Sequence, residues 1–332
     1  MRKLRVVQVG TEHDHAPAFL DAVSHLPEYY DLIGIIEEKE HPDYQSGIMS
    51  YPADRFPPYI TWEQAFELKP DAFVIETTEL EMVENAIRAL EAGYHVYMDK
   101  PGSEDTEQFH RMCNIAKEKN LVLCLGYMYR YNPAVLHAKK LMEEGKLGEI
   151  FSVEAQMSVR HQNTKRAWLS RFQGGMLYFL GCHLIDLVVQ FCGFPDEVIP
   201  MNANTGIDGN NSIDLGFCAY KYKNGYSFVK TCATEINGYE RRQLVINGSL
   251  GTIEIKPLER NLDGGRINSE YRETLNNDAP WRDNSTTTVC EPYFRYDEMF
   301  KSFYEYVCGI KQNPYTYDYE AKLHDLIMES CK

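Results

Sequence analysis

Over the first third of the chain, short apolar runs rich in β-branched residues alternate with helix-like segments. The runs are LRVVQV from Leu4, DLIGII, DAFVIE, YHVYM and LVLCLGYM. Alternation of this kind predicts a parallel sheet in which each strand is followed by a helical crossover. The helical segments carry their own punctuation. Thr61 with Gln64 fits a capping box, Met82 to Ala92 ends at Gly93, and Thr106 to Lys119 stops near Asn120. A doubly wound sheet binds its ligands beyond the carboxyl ends of the strands, so the residues just after each run are the first candidates for chemistry.

The pattern changes after about residue 128. Asn132 and Pro133 read as N-cap and first helical residue, with Val135, Ala138, Leu141 and Met142 on one face and Gly145 as the stop. Phe151, Val153, Ala155, Met157 and Val159 then alternate with polar residues, the period of a strand with one buried face, and Ile213, Leu215, Phe217 and Ala219 repeat it. Hairpin turns are expected at Asn224-Gly225 and Asn247-Gly248, with TIEIKP closing a further strand. The polar stretch from Asn261 to Glu291 reads as a long loop or lid. Tyr293 to Cys308 and Tyr319 to Met328 read as helices. The fold class is therefore α/β. Residues 1–128 form a doubly wound parallel sheet, and residues 129–332 an α+β domain with an open, mainly antiparallel sheet.

Composition narrows the function. A chain of 332 residues with 44% apolar and 25% charged residues has the length for about two domains and a packed core. The excess of 49 acidic over 34 basic residues, a net charge of -15, repels phosphate backbones and anionic membranes, so no nucleic-acid or membrane partner is expected. Phe172 to Pro195 approaches membrane length but contains His183 and Asp186, which makes a buried helix the better reading. Nine cysteines without a CxxC pair suit reduced thiols, and no signal peptide follows the basic N-terminus, so a cytoplasmic location is expected.

The turn after the first strand reads VGTEHDHA, where a dinucleotide fold carries GxGxxG. Gly10 fits, but Glu12 and His15 replace the second and third glycines. Glu12, His13, Asp14 and His15 are all proper metal-ligand types, yet four neighbours in one loop rarely face one ion, so solvated turn residues are the better reading and no metal is expected. Glu37 and Glu38 follow the second strand, with Glu37 27 residues after Gly10. An acid there accepts hydrogen bonds from ribose hydroxyls and disfavours a 2′-phosphate, although Lys39 leaves room for NADP. A solvated strand end is the alternative.

Several ordered segments point further: HVYMDKPGSEDTEQF, LGYMYRYNPAV, LGEIFSVEAQ, GGMLYFLGCHLIDL and INGSLGTIEI. Together they resemble the glucose-fructose oxidoreductase, inositol dehydrogenase and MocA family over nearly the whole chain. Asp99-Lys100-Pro101 stands where that family has Glu-Lys-Pro, and Gly181 with His183 matches its Gly-x-His.

The resemblance implies an N-terminal Rossmann domain binding NAD or NADP, with NAD favoured, and a C-terminal domain for substrate and oligomerisation. Its cofactor-binding positions would be Gly10, Thr11, His13, Glu37, Thr77, Glu79 and Lys100. The implied reaction is oxidation or reduction of a CH-OH group on a sugar, cyclitol or related polyol, with Lys100 as the cation for the alkoxide and His183 transferring the proton. A Lys paired with Asp99 and a satisfied core histidine are the plain structural readings of the same two residues. Arg130, Trp168 and Asp186 fall near the family's substrate cleft, where Arg would bind an anionic group and Trp would stack on a sugar face; interdomain packing explains Arg130 and Trp168 equally.

The departures are specific. Phe179 stands four residues before His183, where the family commonly has an Asp, and Thr78, Glu79 and Met82 replace its Pro, Asn and His after Thr77. Two other functions therefore stay open: an NAD-assisted lyase or glycosidase with no net redox change, and a ligand-binding or regulatory protein without turnover. A homo-oligomer, dimer or tetramer, is expected in each case.

Overall fold

The computed structural model describes residues 2–37, 57–276 and 281–332, and Glu38 and Lys39 lie outside them. The chain forms two compact units. Met1–Tyr127 with Tyr296–His324 make the first, and Met128–Arg295 with Asp325–Lys332 the second.

In the first unit the elements run β1 (Leu4–Val9), α1 (Ala16–His25), β2 (Tyr30–Ile36), α2 (Trp62–Leu68), β3 (Ala72–Ile75), α3 (Met82–Glu91), β4 (His95–Met98), α4 (Thr106–Glu118) and β5 (Leu123–Leu125). The strands form one parallel sheet in the order β2-β1-β3-β4-β5. Strands β3 and β5 are wholly buried, and β4 is buried from Val96 onward, as their apolar runs require of a sheet covered on both faces. The capping box expected at Thr61 and Gln64 is present and starts α2. The chain passes from β1 outward to β2 and then returns to the other side of β1, which places the switch point between β1 and β3.

The second unit begins with α5 (Pro133–Glu143), β6 (Ile150–Ser158), α6 (Asn163–Leu169) and α7 (Cys182–Cys192). Next come β7 (Glu197–Pro200), β8 (Leu215–Tyr222), β9 (Gly225–Cys232), β10 (Gln243–Gly248) and β11 (Gly251–Ile255). The remaining strands are β12 (Arg260–Asn261), β13 (Ile267–Asn268), β14 (Glu270–Leu275) and β15 (Thr286–Val289). Eight of them make one sheet in the order β15-β14-β11-β10-β6-β9-β8-β7, antiparallel except for the β6–β9 pair. The helix α7 packs across β6 and β9. Asn132 caps α5 as expected, accepting from the amides of Ala134 and Val135, while its Nδ2 donates to Leu258 O, Ser269 Oγ and Tyr293 Oη. No helix among the described residues is long and apolar enough to cross a membrane.

Four expectations need correction. Residues Asn261 to Glu291 are not a lid: β14 and β15 extend the edge of the large sheet. An edge strand such as Thr286–Val289 buries little on either face, so its sequence lacks the alternation that marks β6. The hairpin turns sit one or two residues away from the predicted pairs. Lys223-Asn224 joins β8 to β9, and Ser249-Leu250 joins β10 to β11. Gly248 is instead a strand residue whose added Cβ would lie 2.1 Å from the Leu147 carbonyl oxygen. Tyr293 precedes the next helix, α8 (Asp297–Val307), pairing with Ile267 in an isolated bridge.

Finally, one cut near residue 128 does not divide the chain. The helix α8 belongs to the first unit, where Phe300 packs 5.0 Å from Phe19 and 4.8 Å from Tyr97, ring to ring, and its carbonyl accepts from the Tyr30 hydroxyl. The last helix is α9 (Tyr317–Ser330).

A buried carboxylate ties together distant segments of the second unit. Glu259 accepts from Arg242 and from Arg295 Nε at 2.7 Å, and Arg242 also reaches Tyr129 Oη at 3.3 Å. Burial raises this carboxyl, but Arg295 and Arg242 outweigh it and hold the group below the usual glutamate range. A depressed folded-state value stabilises the protein above the unfolded value of about 4.3 and ceases to do so as pH falls through the lower folded value. The thermal-midpoint advantage of wild type over Glu259→Gln is therefore expected to be widest near neutrality and to narrow below about pH 4. A gap that keeps its size through the acid range would show that Glu259 ionisation contributes nothing.

Candidate functional site

In the first unit β1 ends at Val9, and Gly10 turns the chain with φ +83 while its N–H donates to Ile36 O at 2.7 Å. Glycine is required there: an added Cβ would stand 2.6 Å from Thr77 Cγ2 and 2.7 Å from Glu12 Oε2. Gly10, Glu12, Glu37 and Thr77, from the ends of β1, β2 and β3, line one cleft together with Asn85 and Arg88. Thr11 donates its hydroxyl to the Glu37 carboxylate, which fixes the acid beside the turn. The Arg88 guanidinium lies 4.4 Å above the Trp62 ring.

The cleft fits the ribose end of a dinucleotide, with an acid and two hydroxyl-bearing or small residues at the switch point. Its phosphate end is less hospitable. The Glu12 carboxylate is buried beside the start of α1, where a helix N-terminus ordinarily receives an anion.

Deeper in the same unit six polar side chains converge at the strand ends. His13, Glu76, Glu79, Asp99 and Lys100 are almost fully buried, and His15 is half-buried. His13 Nδ1 is 3.4 Å from Glu76 Oε2 and 3.8 Å from Asp99 Oδ2, and its Nε2 is 3.6 Å from Glu79 Oε1. His15 Nδ1 lies 3.2 Å from both Asp99 oxygens, and the Lys100 amide donates to Asp99 Oδ1 at 2.7 Å.

Burial pushes His13 down to about 3, so its imidazole is neutral. Burial also raises Glu76 well above the usual range, assisted by the Asp99 charge. Asp99 moves the other way: burial opposes its ionisation, yet His15, His13 and Lys100 together keep it a carboxylate. Two neighbouring carboxyls are thus pushed in opposite directions.

The second unit places His183 as the second residue of α7, directly after a π-helical turn over Leu177–Gly181. Such turns recur at functional sites. His183 is buried, its ring 5.3 Å from Tyr129 in an edge-on arrangement. Phe179, at the position of the missing Asp, meets the Lys165 ammonium 4.6 Å from its centroid; the same ammonium stands 3.5 Å over Trp168.

That arrangement alters two expectations. Trp168 offers no open face on the side that Lys165 covers, and it also packs edge-on against Phe172 and Phe179. Arg130 and Asp186 do not await a substrate. Arg130 Nε donates to Asp186 Oδ2 at 3.0 Å and Nη2 to Oδ1 at 2.8 Å, Gln190 Nε2 adds a 2.6 Å bond, and the pair is buried. An arginine whose fork is filled by a buried carboxylate is a structural tie rather than an anion receptor.

Sequence reading singled out Lys100, His13 and Glu79 but missed His15 and Glu76 as members of one cluster. Glu76 had a signal, being the first polar residue after the wholly apolar β3. Lys165 had one too, since three residues along a helix place it beside Trp168.

A cleft at the switch point, built from the ends of β1, β2 and β3, defines the first unit as a dinucleotide-binding α/β domain. Comparison with known proteins extends this to the whole chain. The chain belongs to the Gfo/Idh/MocA family: the oxidoreductase family's NAD-binding Rossmann fold matches residues 4–127, and the family's C-terminal domain matches residues 135–254.

Among curated relatives, levoglucosan dehydrogenase of Pseudarthrobacter phenanthrenivorans is 34% identical over 37% of this chain and 34% of its own length. The scyllo-inositol 2-dehydrogenase (NADP(+)) IolW of Bacillus subtilis is 31% identical over 42% of this chain and 38% of its own. These matches span about a third of the relatives' length. The WlbA dehydrogenase of Bordetella pertussis, solved with NADH and UDP-GlcNAcA, superposes with a TM-score of 0.76 at 17% identity, covering 99% of this chain and 97% of that one. That likeness shows the fold.

Proposed function

We propose that the protein is an NAD(P)-dependent oxidoreductase acting on a CH-OH group of a sugar, cyclitol or related polyol, with NAD preferred. The observation that carries this reading is the cleft that joins Gly10, Glu37 and Thr77 at the ends of three adjacent strands. Glu37 accepts the ribose hydroxyls and repels a 2′-phosphate. Gly10 lets the backbone approach the cofactor. When bound, the nicotinamide supplies the hydride acceptor or donor.

Lys100 holds a positive charge for the substrate oxygen as it becomes an alkoxide, and His183 takes or returns the hydroxyl proton. Asp99, kept ionised among His13, His15 and Lys100, positions Lys100 through its backbone amide. Levoglucosan, inositol and glucoside dehydrogenases among the relatives support the substrate class.

The test is a titration of the purified protein with NADH and NADPH, read by energy transfer from tryptophan, after mass spectrometry for cofactor already bound. Micromolar binding, tighter for NADH, is the expected result. Failure of both nucleotides to bind would overturn the reading and favour a ligand-binding protein without turnover, to which Glu12 and Phe179 already lean.

A further inference from the structure

We propose that His13, His15 and Asp99 form a binding site for one divalent transition-metal ion of the zinc type, with Glu76 as a fourth ligand. The assignment goes beyond the oxidoreductase reading and does not depend on it.

The sheet brings the ligands together. Val9, Ile75 and Met98 are in register across β1, β3 and β4, so the residues that follow them leave the sheet side by side. The loop after β1 carries His13 and His15, the first residue after β3 is Glu76, and the first after β4 is Asp99. Three adjacent strand ends thus deliver two imidazoles and two carboxylates to one place, and a fixed sheet edge is a better platform for a metal than a loop alone.

The spacing suits an ion. Nitrogen and oxygen ligands about 2.1 Å from a tetrahedral centre lie about 3.4 Å from one another. His15 Nδ1 to Asp99 Oδ2 is 3.2 Å, His13 Nδ1 to Glu76 Oε2 is 3.4 Å and His13 Nδ1 to Asp99 Oδ2 is 3.8 Å. One ligand atom from each of His13, His15 and Asp99 falls within 4.8 Å of the others. Nitrogen donors select zinc, cobalt or iron(II) over magnesium and calcium, which prefer all-oxygen sites.

Two further observations point to a ligand rather than to a packed polar core. Both carboxylate oxygens of Glu76 are buried without a hydrogen-bond partner among the described residues, although the side chain faces His13. Buried polar atoms are seldom left so, because desolvation without compensation is costly. The second concerns orientation. With Nδ1 of His13 turned to the proposed ion, its Nε2 points at the Glu79 carboxylate 3.6 Å away, the outer-carboxylate arrangement that fixes the tautomer of metal-bound histidines. The His15 amide now approaches the same Nδ1 at 3.2 Å, a long contact that the ion would displace.

The experiment uses tag-free, full-length protein stripped with a chelator and dialysed against Zn²⁺ or Co²⁺, with bound metal counted by elemental analysis. One equivalent per chain is expected, with Co²⁺ giving the intense visible bands of a four-coordinate site. His15→Ala and Asp99→Asn should each weaken affinity by about 100-fold or more, and Glu79→Gln by about 10–100-fold. His25→Ala, at a surface pair with Asp297, should leave it unchanged.

Circular dichroism of each metal-free variant separates ligand loss from unfolding, and the half-buried His15 is the position most tolerant of truncation. Substoichiometric retention by wild type, or equal retention by a folded His15→Ala variant, overturns the site. The nucleotide titration reads the oxidoreductase assignment separately, so failure of one does not imply failure of the other.

Discussion

Replacing Lys100 with methionine is expected to lower turnover by about 10³-fold or more on whichever polyol the wild type oxidises, because both a charge for the alkoxide and a proton-relay partner are lost. Lys100 is almost fully buried immediately beyond β4, and methionine retains most of its apolar stem, so the packing it provides survives. The thermal midpoint should move little. The loss should appear mainly in kcat, since a group that acts on developing charge contributes more to the transition state than to the bound substrate. Steady-state kinetics at saturating cofactor on the folded variant decides it. A kcat equal to wild type would remove Lys100 from the reaction and leave it as a buried positive charge near Asp99.

The largest stability effect is expected at Asp186. Asp186→Ala leaves the Arg130 guanidinium buried without its carboxylate, and breaking a buried pair in this way costs about 3–5 kcal/mol. Gln190 loses its 2.6 Å acceptor in the same step. For a unit of this size the thermal midpoint should fall by on the order of 10 °C. Removing both charges is expected to recover much of the loss, because two apolar side chains of similar volume need no compensation: Arg130→Met with Asp186→Leu should be more stable than Asp186→Ala alone. If the double variant proved no better than the single one, the carboxylate would matter for something other than neutralising Arg130. If Asp186→Ala moved the midpoint by less than about 2 °C, Arg130 would have found another partner.

What the chain revealed before its fold was known divides along physical lines. Strand β6 was legible because apolar and polar residues alternate along it, so Val153, Ala155 and Met157 announce themselves by period alone, although Ser152, Gln156 and Ser158 on the other face are buried as well. Local hydrogen bonds were legible too: Thr61 with Gln64 and Asn132 before Pro133 lie within three residues of the groups they cap. Strands β14 and β15 were not, since an edge sheet with Thr286, Thr287 and Thr288 gains little burial and leaves no mark on the sequence.

The sites divide in the same way. Gly10 and Glu37 follow strand ends and were singled out by that rule, and Lys100 by the resemblance of its motif. His15 meets Asp99 across 84 residues, and Arg130 meets Asp186 across 56. Contacts of that separation depend on register and topology, which no local pattern encodes. On chemical type alone Arg130 and Trp168 therefore stood evenly between substrate contact and packing, and only the fold shows Asp186 against the guanidinium and Lys165 over one face of the indole.

The return of α8 to the first unit has a bearing on how the protein is made. Phe19, Tyr30 and Tyr97 complete their packing only against Phe300, which the ribosome delivers long after Tyr127 has closed the nucleotide-binding half. At about 5–20 residues per second, the roughly 170 intervening residues take on the order of 10–30 s to synthesise. During that interval the nascent Rossmann unit carries an exposed aromatic patch where α8 will later sit, and it waits for that later segment to cover it.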